Sequence, residues 1–220
     1  MRNDLPFDLH SLRTAYASGL EVTEVIKEVY RRIEKLDDPG VFIAVQDQEV
    51  VLKEAAALDS ALLKAMPLWG IPFVVKDNID VAGMSTTAAC PDFAYEAKED
   101  AFVVQRLRKA GALLIGKTNL DQFATGLVGM RTPFPAPRNA IDPEIVPGGS
   151  SSGSAVAVAQ GLVAFSLGTD TAGSGRVPAA LNGIVGLKPS LGALSNRGVV
   201  PACRTLDCVS IFALSSDDAF

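Results

Sequence analysis

With 220 residues and a mass of 23.0 kDa, the chain is long enough to bury one sizeable core. A composition of 48% hydrophobic and 20% charged residues is that of a globular domain and excludes a disordered one. The net charge of -5 supplies no basic stripe for nucleic acid, and Arg106, Arg108 and Lys109 are expected to be the solvated face of a helix.

In chain order, Asp8 or Ser11 caps a short helix that runs to Ala17 and stops at Gly19. Thr23 caps a second helix, on which Val25, Ile26, Val29, Tyr30 and Ile33 share one face. Residues 41–45 form a short apolar strand, and the alanine- and leucine-rich stretch 48–65 a long helix. Residues 72–76 form a strand that ends on Lys76. An amphipathic helix over 100–110 leads through Gly111 into a buried strand at 112–115, and 119–126 is expected to be helical. The proline-rich loop 132–147 runs directly into a glycine-serine block and is therefore taken as a site loop rather than a linker. A helix over 155–159, a strand over 165–168 and a short helix from Arg176 complete the pattern, with Pro178 tolerated in the first turn of that last helix. Helices alternating with short apolar strands imply an α/β fold, its helices covering a largely buried sheet.

The compartment follows from what is missing. Cys90, Cys203 and Cys208 make neither a CxxC pair nor an even framework, which favours a reducing environment. Residues 1–20 have no basic region followed by an apolar core. The most apolar stretch, 155–168, is interrupted by Gln160, Gly161 and Ser166 and is short of the ~20 residues of a membrane span. A cytoplasmic protein without membrane contact is expected.

One motif misleads. Residues 111–118, Gly-Ala-Leu-Leu-Ile-Gly-Lys-Thr, match the phosphate-binding pattern G-x-x-x-x-G-K-[ST]. That pattern needs a strand before its first glycine and a loop in its middle. Here a helix precedes Gly111 and the middle residues are strand formers, so Lys117 is assigned to structure or a pocket edge.

The chemistry lies in three other places. Gly148-Gly149-Ser150-Ser151-Ser152-Gly153-Ser154 runs straight into a helix, a setting that offers free N–H groups to an anion. Thr171-Ala172-Gly173-Ser174 is a turn of small residues after a strand, where a serine can act as a nucleophile and adjacent amides as an oxyanion hole. Lys76 follows Phe73-Val74-Val75; partial burial would lower its pKa and free an amine to act as a base. The only histidine, His10, is far off in a polar N-terminal stretch, so a lysine relay is simpler than a Ser-His-Asp triad. Taken singly, Ser174 could be a helix cap, Lys76 a surface lysine and Arg176 an anchor of its own turn.

Together, residues 70–78 (Gly-Ile-Pro-Phe-Val-Val-Lys-Asp-Asn), 116–119 (Gly-Lys-Thr-Asn), the glycine-serine block, 168–174 (Gly-Thr-Asp-Thr-Ala-Gly-Ser) and 183–189 (Gly-Ile-Val-Gly-Leu-Lys-Pro) resemble the amidase signature family. The likeness implies a layered α/β fold with a central mixed sheet covered by helices. It also implies a Ser–cis-Ser–Lys triad that falls on Ser174 as nucleophile, Ser150 as bridging serine and Lys76 as base, with a cis peptide between Gly149 and Ser150. The oxyanion hole falls on the N–H groups of Thr171, Ala172, Gly173 and Ser174, and Gly149, Ser151 and Arg176 support the loop or the substrate. Ala172, Gly175, the triple serine 150–152 and residues 12–16 (Leu-Arg-Thr-Ala-Tyr) are similar to the allophanate hydrolase branch.

The activity implied is cleavage of a small amide, allophanate in urea breakdown, with release of ammonia. The alternatives are the amidase-type component of a glutamyl/aspartyl-tRNA amidotransferase and a non-catalytic binding remnant of the fold. The family domain is about twice this length, so residues 1–220 are expected to be its N-terminal half. The expected partner is a small-molecule amide, with a homodimer left open; no cofactor, metal or nucleic acid is expected.

Overall fold

The computed structural model describes residues 5–220. Helix α1 spans Leu9–Ala17, and of the two candidate caps Asp8 is the one used, its carboxylate accepting the Ser11 N–H at 2.7 Å. Helix α2 spans Val22–Leu36 and starts one residue before the expected cap Thr23. Val22 is buried in the core beside Gly70, which draws the first turn forward. Strand β1 is Phe42–Val45. Helix α3, Gln48–Ala56, is shorter than the expected 48–65. Asp59 ends that run by capping a 3₁₀ turn at Ser60–Leu62, the local bonding that aspartate prefers to a helix interior.

Strand β2 is Pro72–Lys76. A two-stranded ribbon follows, β3 at Ser85–Thr86 and β4 at Tyr95–Glu96, which nothing in the sequence pattern announces. Helix α4, Phe102–Lys109, leads into β5, Leu113–Thr118. The phosphate-loop look-alike is thus a buried strand, as its residue types require. The helix expected over 119–126 is absent: only a 3₁₀ turn at Gln122–Ala124 forms, with Phe123 and Ala124 in the left-handed region. Tertiary bonds take the amides a helix would need, Gln122 N–H donating to Arg131 O and Phe123 N–H to Ala88 O.

Helix α5 (Ser152–Ala159), strand β6 (Phe165–Asp170), helix α6 (Arg176–Leu181), strands β7 (Val185–Leu187) and β8 (Cys208–Ala213) and helix α7 (Ser216–Ala219) follow. The main sheet runs β1-β5-β2-β6-β8-β7. Strand β2 is parallel to both β5 and β6, while β1, β8 and β7 pair antiparallel. The mixed sheet covered by helices is the architecture expected. The chain crosses from β5, on one side of β2, to β6 on the other, and ligand crevices form at such a crossing, outside the carboxyl ends of the strands.

Helix α5 is apolar all round and lies across the central strands with its first seven residues buried, as a fully internal helix must be. Gly153 permits the approach: a Cβ there would collide with Val41 O and come within 2.7 Å of Asn119 N. Among the described residues no helix is long and apolar enough to cross a membrane.

Gly153→Ala is expected to lower stability by about 1–3 kcal/mol through overpacking, although alanine is the better helix former. Urea unfolding followed by circular dichroism checks this, and a midpoint at or above that of the wild type would refute it.

Candidate active site

The carboxyl ends of the three parallel strands converge, bringing Lys76 (β2), Thr118 (β5) and Asp170 (β6) to one edge of the sheet. Lys76 is fully buried, and its Nζ donates to Ser150 Oγ at 2.8 Å and to Thr169 Oγ1 at 2.9 Å. Burial pushes the amine down to about 7 from an ordinary 10.5, against the opposing pull of the Asp121, Asp170 and Asp207 carboxylates. A neutral amine near pH 7, in contact with a serine hydroxyl, can take its proton.

The Gly149–Ser150 peptide bond is cis. Gly148 N–H donates to Val128 O and Gly149 N–H to Leu127 O, so residues 127–129 lie against the glycine-serine block. Gly149 cannot carry a side chain, because a Cβ would land on Asp121 Oδ2. Ser151 joins the two serine segments: its N–H donates to Ser174 O at 3.3 Å and its hydroxyl to Thr169 O at 3.1 Å. Ser152 Oγ reaches Asn119 O only at 3.5 Å.

At the start of α5, two of the amides that the sequence offers to an anion are already engaged. Ser151 N–H is taken by Ser174 O and Gly153 N–H by Asn119 O. Free donors also lie in the turn after β6. The N–H groups of Thr171, Ala172 and Ser174 meet no acceptor among the described residues, whereas Gly173 N–H is held by Asp170 Oδ1 at 2.8 Å. Of the four amides expected for an oxyanion hole, Gly173 N–H is thus engaged inside the turn and the other three are left without an acceptor among the described residues.

Ser174, 4% exposed, points its hydroxyl toward Gly126 O at 3.5 Å. No hydrogen bond joins Ser174 Oγ to Ser150 Oγ in this structure. Arg176 anchors the turn rather than opening a substrate pocket: its Nε and Nη2 grip Asp170 at 2.9 and 3.0 Å. Burial pushes the Asp170 carboxyl up, but Arg176 and the amides of Gly173, Gly175 and Arg176 outweigh it and hold the group below the usual carboxylate range.

Several residues of the site carry no role that the sequence alone would assign. Thr169 and Asp170 sit inside a motif recognised for Ser174 alone, and Asn78, whose amide donates to Thr169 Oγ1 at 3.4 Å and to Val200 O at 3.1 Å, directly follows the Lys76-Asp77 pair. Asp121 is masked by the expected helix, and Asp207 precedes a strand that no periodicity signals. Lys117 forms a buried ion pair with Asp77 at 2.8 Å beside the site. His10 is exposed on α1 and bonds to none of these groups.

This constellation can be placed among known proteins. The family model described as Amidase matches residues 24–220. The chain belongs to the amidase family. It is 59% identical over 181 residues to a urea amidolyase of Saccharomyces cerevisiae, covering 82% of this chain and 10% of that protein. It is 44% identical over 211 residues to a glutamyl-tRNA(Gln) amidotransferase component of Exiguobacterium, covering 94% of this chain and 44% of that protein. Among solved structures, the allophanate hydrolase of Kluyveromyces lactis superposes with a TM-score of 0.89 at 47% identity, over 98% of this chain and 36% of that chain. The chain thus spans less than half the length of each of these relatives.

The buried amine has a thermodynamic signature. Between about 7 and 10.5 the unfolded chain keeps the Lys76 proton that the folded chain has released, so stability rises with pH across that window and is flat on either side. Lys76→Met is expected to remove this rise; urea midpoints measured from pH 6 to pH 10 check it, and an unchanged slope would contradict it.

Proposed function

We propose that this chain carries the reacting groups of an amidohydrolase that cleaves a small amide C–N bond through an acyl-enzyme, with allophanate as substrate and ammonia as product. One observation carries the reading: a fully buried Lys76 amine, lowered to about 7, lies 2.8 Å from the hydroxyl of a serine next to a cis peptide bond.

That geometry supports a serine relay. Lys76 takes the proton of Ser150, Ser150 takes that of Ser174, and Ser174 Oγ attacks the amide carbonyl. For this the Ser174 hydroxyl must rotate from Gly126 O to Ser150, a tightening common when substrate binds. The amides of Thr171, Ala172 and Ser174 receive the developing oxyanion. The proton then returns along the relay to the leaving nitrogen, and water cleaves the ester to regenerate Ser174. The likeness to urea amidolyase and allophanate hydrolase supports allophanate and a place in urea breakdown.

The likeness to a tRNA amidotransferase component over 94% of the chain supports a second reading, in which glutamine supplies the ammonia. Ammonia release from allophanate, malonamide and glutamine separates the two. It is to be measured on this chain and on a form extended past Phe220 with the matching segment of the Saccharomyces relative. Allophanate is expected to be turned over, with a loss of roughly a thousandfold or more in Ser174→Ala. Preference for glutamine would favour the second reading. Silence toward all three from a folded, extended protein would leave a non-catalytic remnant of the fold.

A further inference from the structure

Two buried carboxylates at the site have no cation of their own. Asp121 is fully buried, and its oxygens accept the main-chain N–H groups of Gly129 and Arg131 at 3.0 and 2.8 Å. Asp207, 6% exposed, accepts the N–H groups of Ala202 and Cys203 and the hydroxyl of Thr171. The neighbouring acids are matched, Asp77 by Lys117 at 2.8 Å and Asp170 by Arg176 at 2.9 Å. Among the described residues no lysine or arginine lies within ion-pair distance of Asp121 or Asp207.

Both are tied to the segments that supply the acceptors of Lys76. Asp121 N–H donates to Ser150 O at 3.0 Å, and the hydroxyl of the same serine holds the amine at 2.8 Å. Asp207 holds Thr171, two residues from Thr169, whose hydroxyl is the second acceptor of the amine at 2.9 Å. A buried carboxylate without a counter-charge is costly, and two of them around one amine suit a site where positive charge appears and disappears.

Building on the relay read above, we propose that Asp121 and Asp207 are positioning residues that compensate the charge of Lys76 when it takes the Ser150 proton. In that step the Ser150 O–H bond breaks and a Lys76 N–H bond forms. The field of the two carboxylates already favours the resulting ammonium, and the proton later leaves with the amide nitrogen. Of the other ionisable groups near the amine, Asp170 also favours its charged form but is paired with Arg176, and Asp77 is paired with Lys117.

Replacing either carboxylate by asparagine then acts in two senses. With less negative charge beside it the amine binds a proton less readily, so the acid limb of kcat/KM moves down by roughly one pH unit. The ammonium-forming step is also less stabilised, so the plateau above the limb falls roughly tenfold. A purely structural loss lowers the plateau and leaves the limb in place.

The experiment measures ammonia release against pH for wild type, Asp121→Asn and Asp207→Asn, in the form that turns over in the assay above, with an NMR titration of the Lys76 Cε in this chain. Both variants are expected to shift the limb and the Lys76 midpoint downward together. Folded variants whose midpoint and limb stay put, while Ser174→Ala is inactive, overturn this proposal alone; turnover that survives Ser174→Ala overturns the relay as well. If neither variant folds, the wild-type chain decides. The Cγ resonances of Asp121 and Asp207 should inflect at the Lys76 midpoint and lose that inflection in Lys76→Met, and flat carboxyl titrations would refute the assignment.

Discussion

A lysine amine with no access to water is the constraint around which the rest of this chain is arranged. A charged amine is expensive to bury, and burial alone drives Lys76 toward its neutral form. A neutral amine still needs partners, and only small polar side chains fit where three parallel strands end together. Ser150 and Thr169 meet that need from two different segments, one from the loop before α5 and one from the end of β6. The sheet order serves the same end: with β2 between β5 and β6, the lysine at its tip faces loops from both sides.

The same economy of size governs the packing of α5. Its serines allow the helix to lie close on the strands while keeping their hydroxyls satisfied. Ser154 Oγ meets Thr118 Oγ1 at 2.7 Å and Leu167 O at 3.1 Å, and Ser166 Oγ donates to Ser154 O at 2.8 Å. Larger side chains would lift the helix and carry the Gly149–Ser150 peptide with it, since Ser151 bridges the helix start to both Thr169 and Ser174. The run of serine and glycine therefore fixes position rather than supplying flexibility. Dense hydrogen bonding in a small space is what distinguishes it from a Gly/Ser linker.

The parts of this design legible in the sequence are those set by periodicity and by side-chain size. The apolar runs that end at Lys76 and start at Leu113 can only be buried strands, and the Ala-Leu-Leu-Ile core of the phosphate-loop look-alike places Lys117 in a sheet. The stretch 119–126 misleads because its helix-forming residues say nothing of long-range acceptors. Asp121 and the left-handed pair Phe123 and Ala124 are set by contacts with residues 88, 129 and 131. Strands β7 and β8 escape notice because they follow a glycine-rich turn and a loop with no periodicity. Within the site, Lys76, Ser150 and Ser174 stand in recognisable motifs. Asp207 lies some thirty residues further on and is brought in only by the antiparallel return of β8 beside β6.

Arg176 is tied into the turn that follows β6. As the cation nearest Ser174 in sequence, it is the natural candidate to greet a carboxylated substrate such as allophanate. Its Nε and one terminal nitrogen are instead used in gripping Asp170, and that carboxylate also collects the amides of Gly173, Gly175 and Arg176. The grip folds residues 171–174 into a turn whose three remaining amides are left without acceptors among the described residues. Releasing Arg176 would remove two of the bonds that hold Asp170 in this turn. A urea amidolyase and a tRNA amidotransferase component both match this segment, so a likeness over these residues does not by itself tell the two kinds of protein apart.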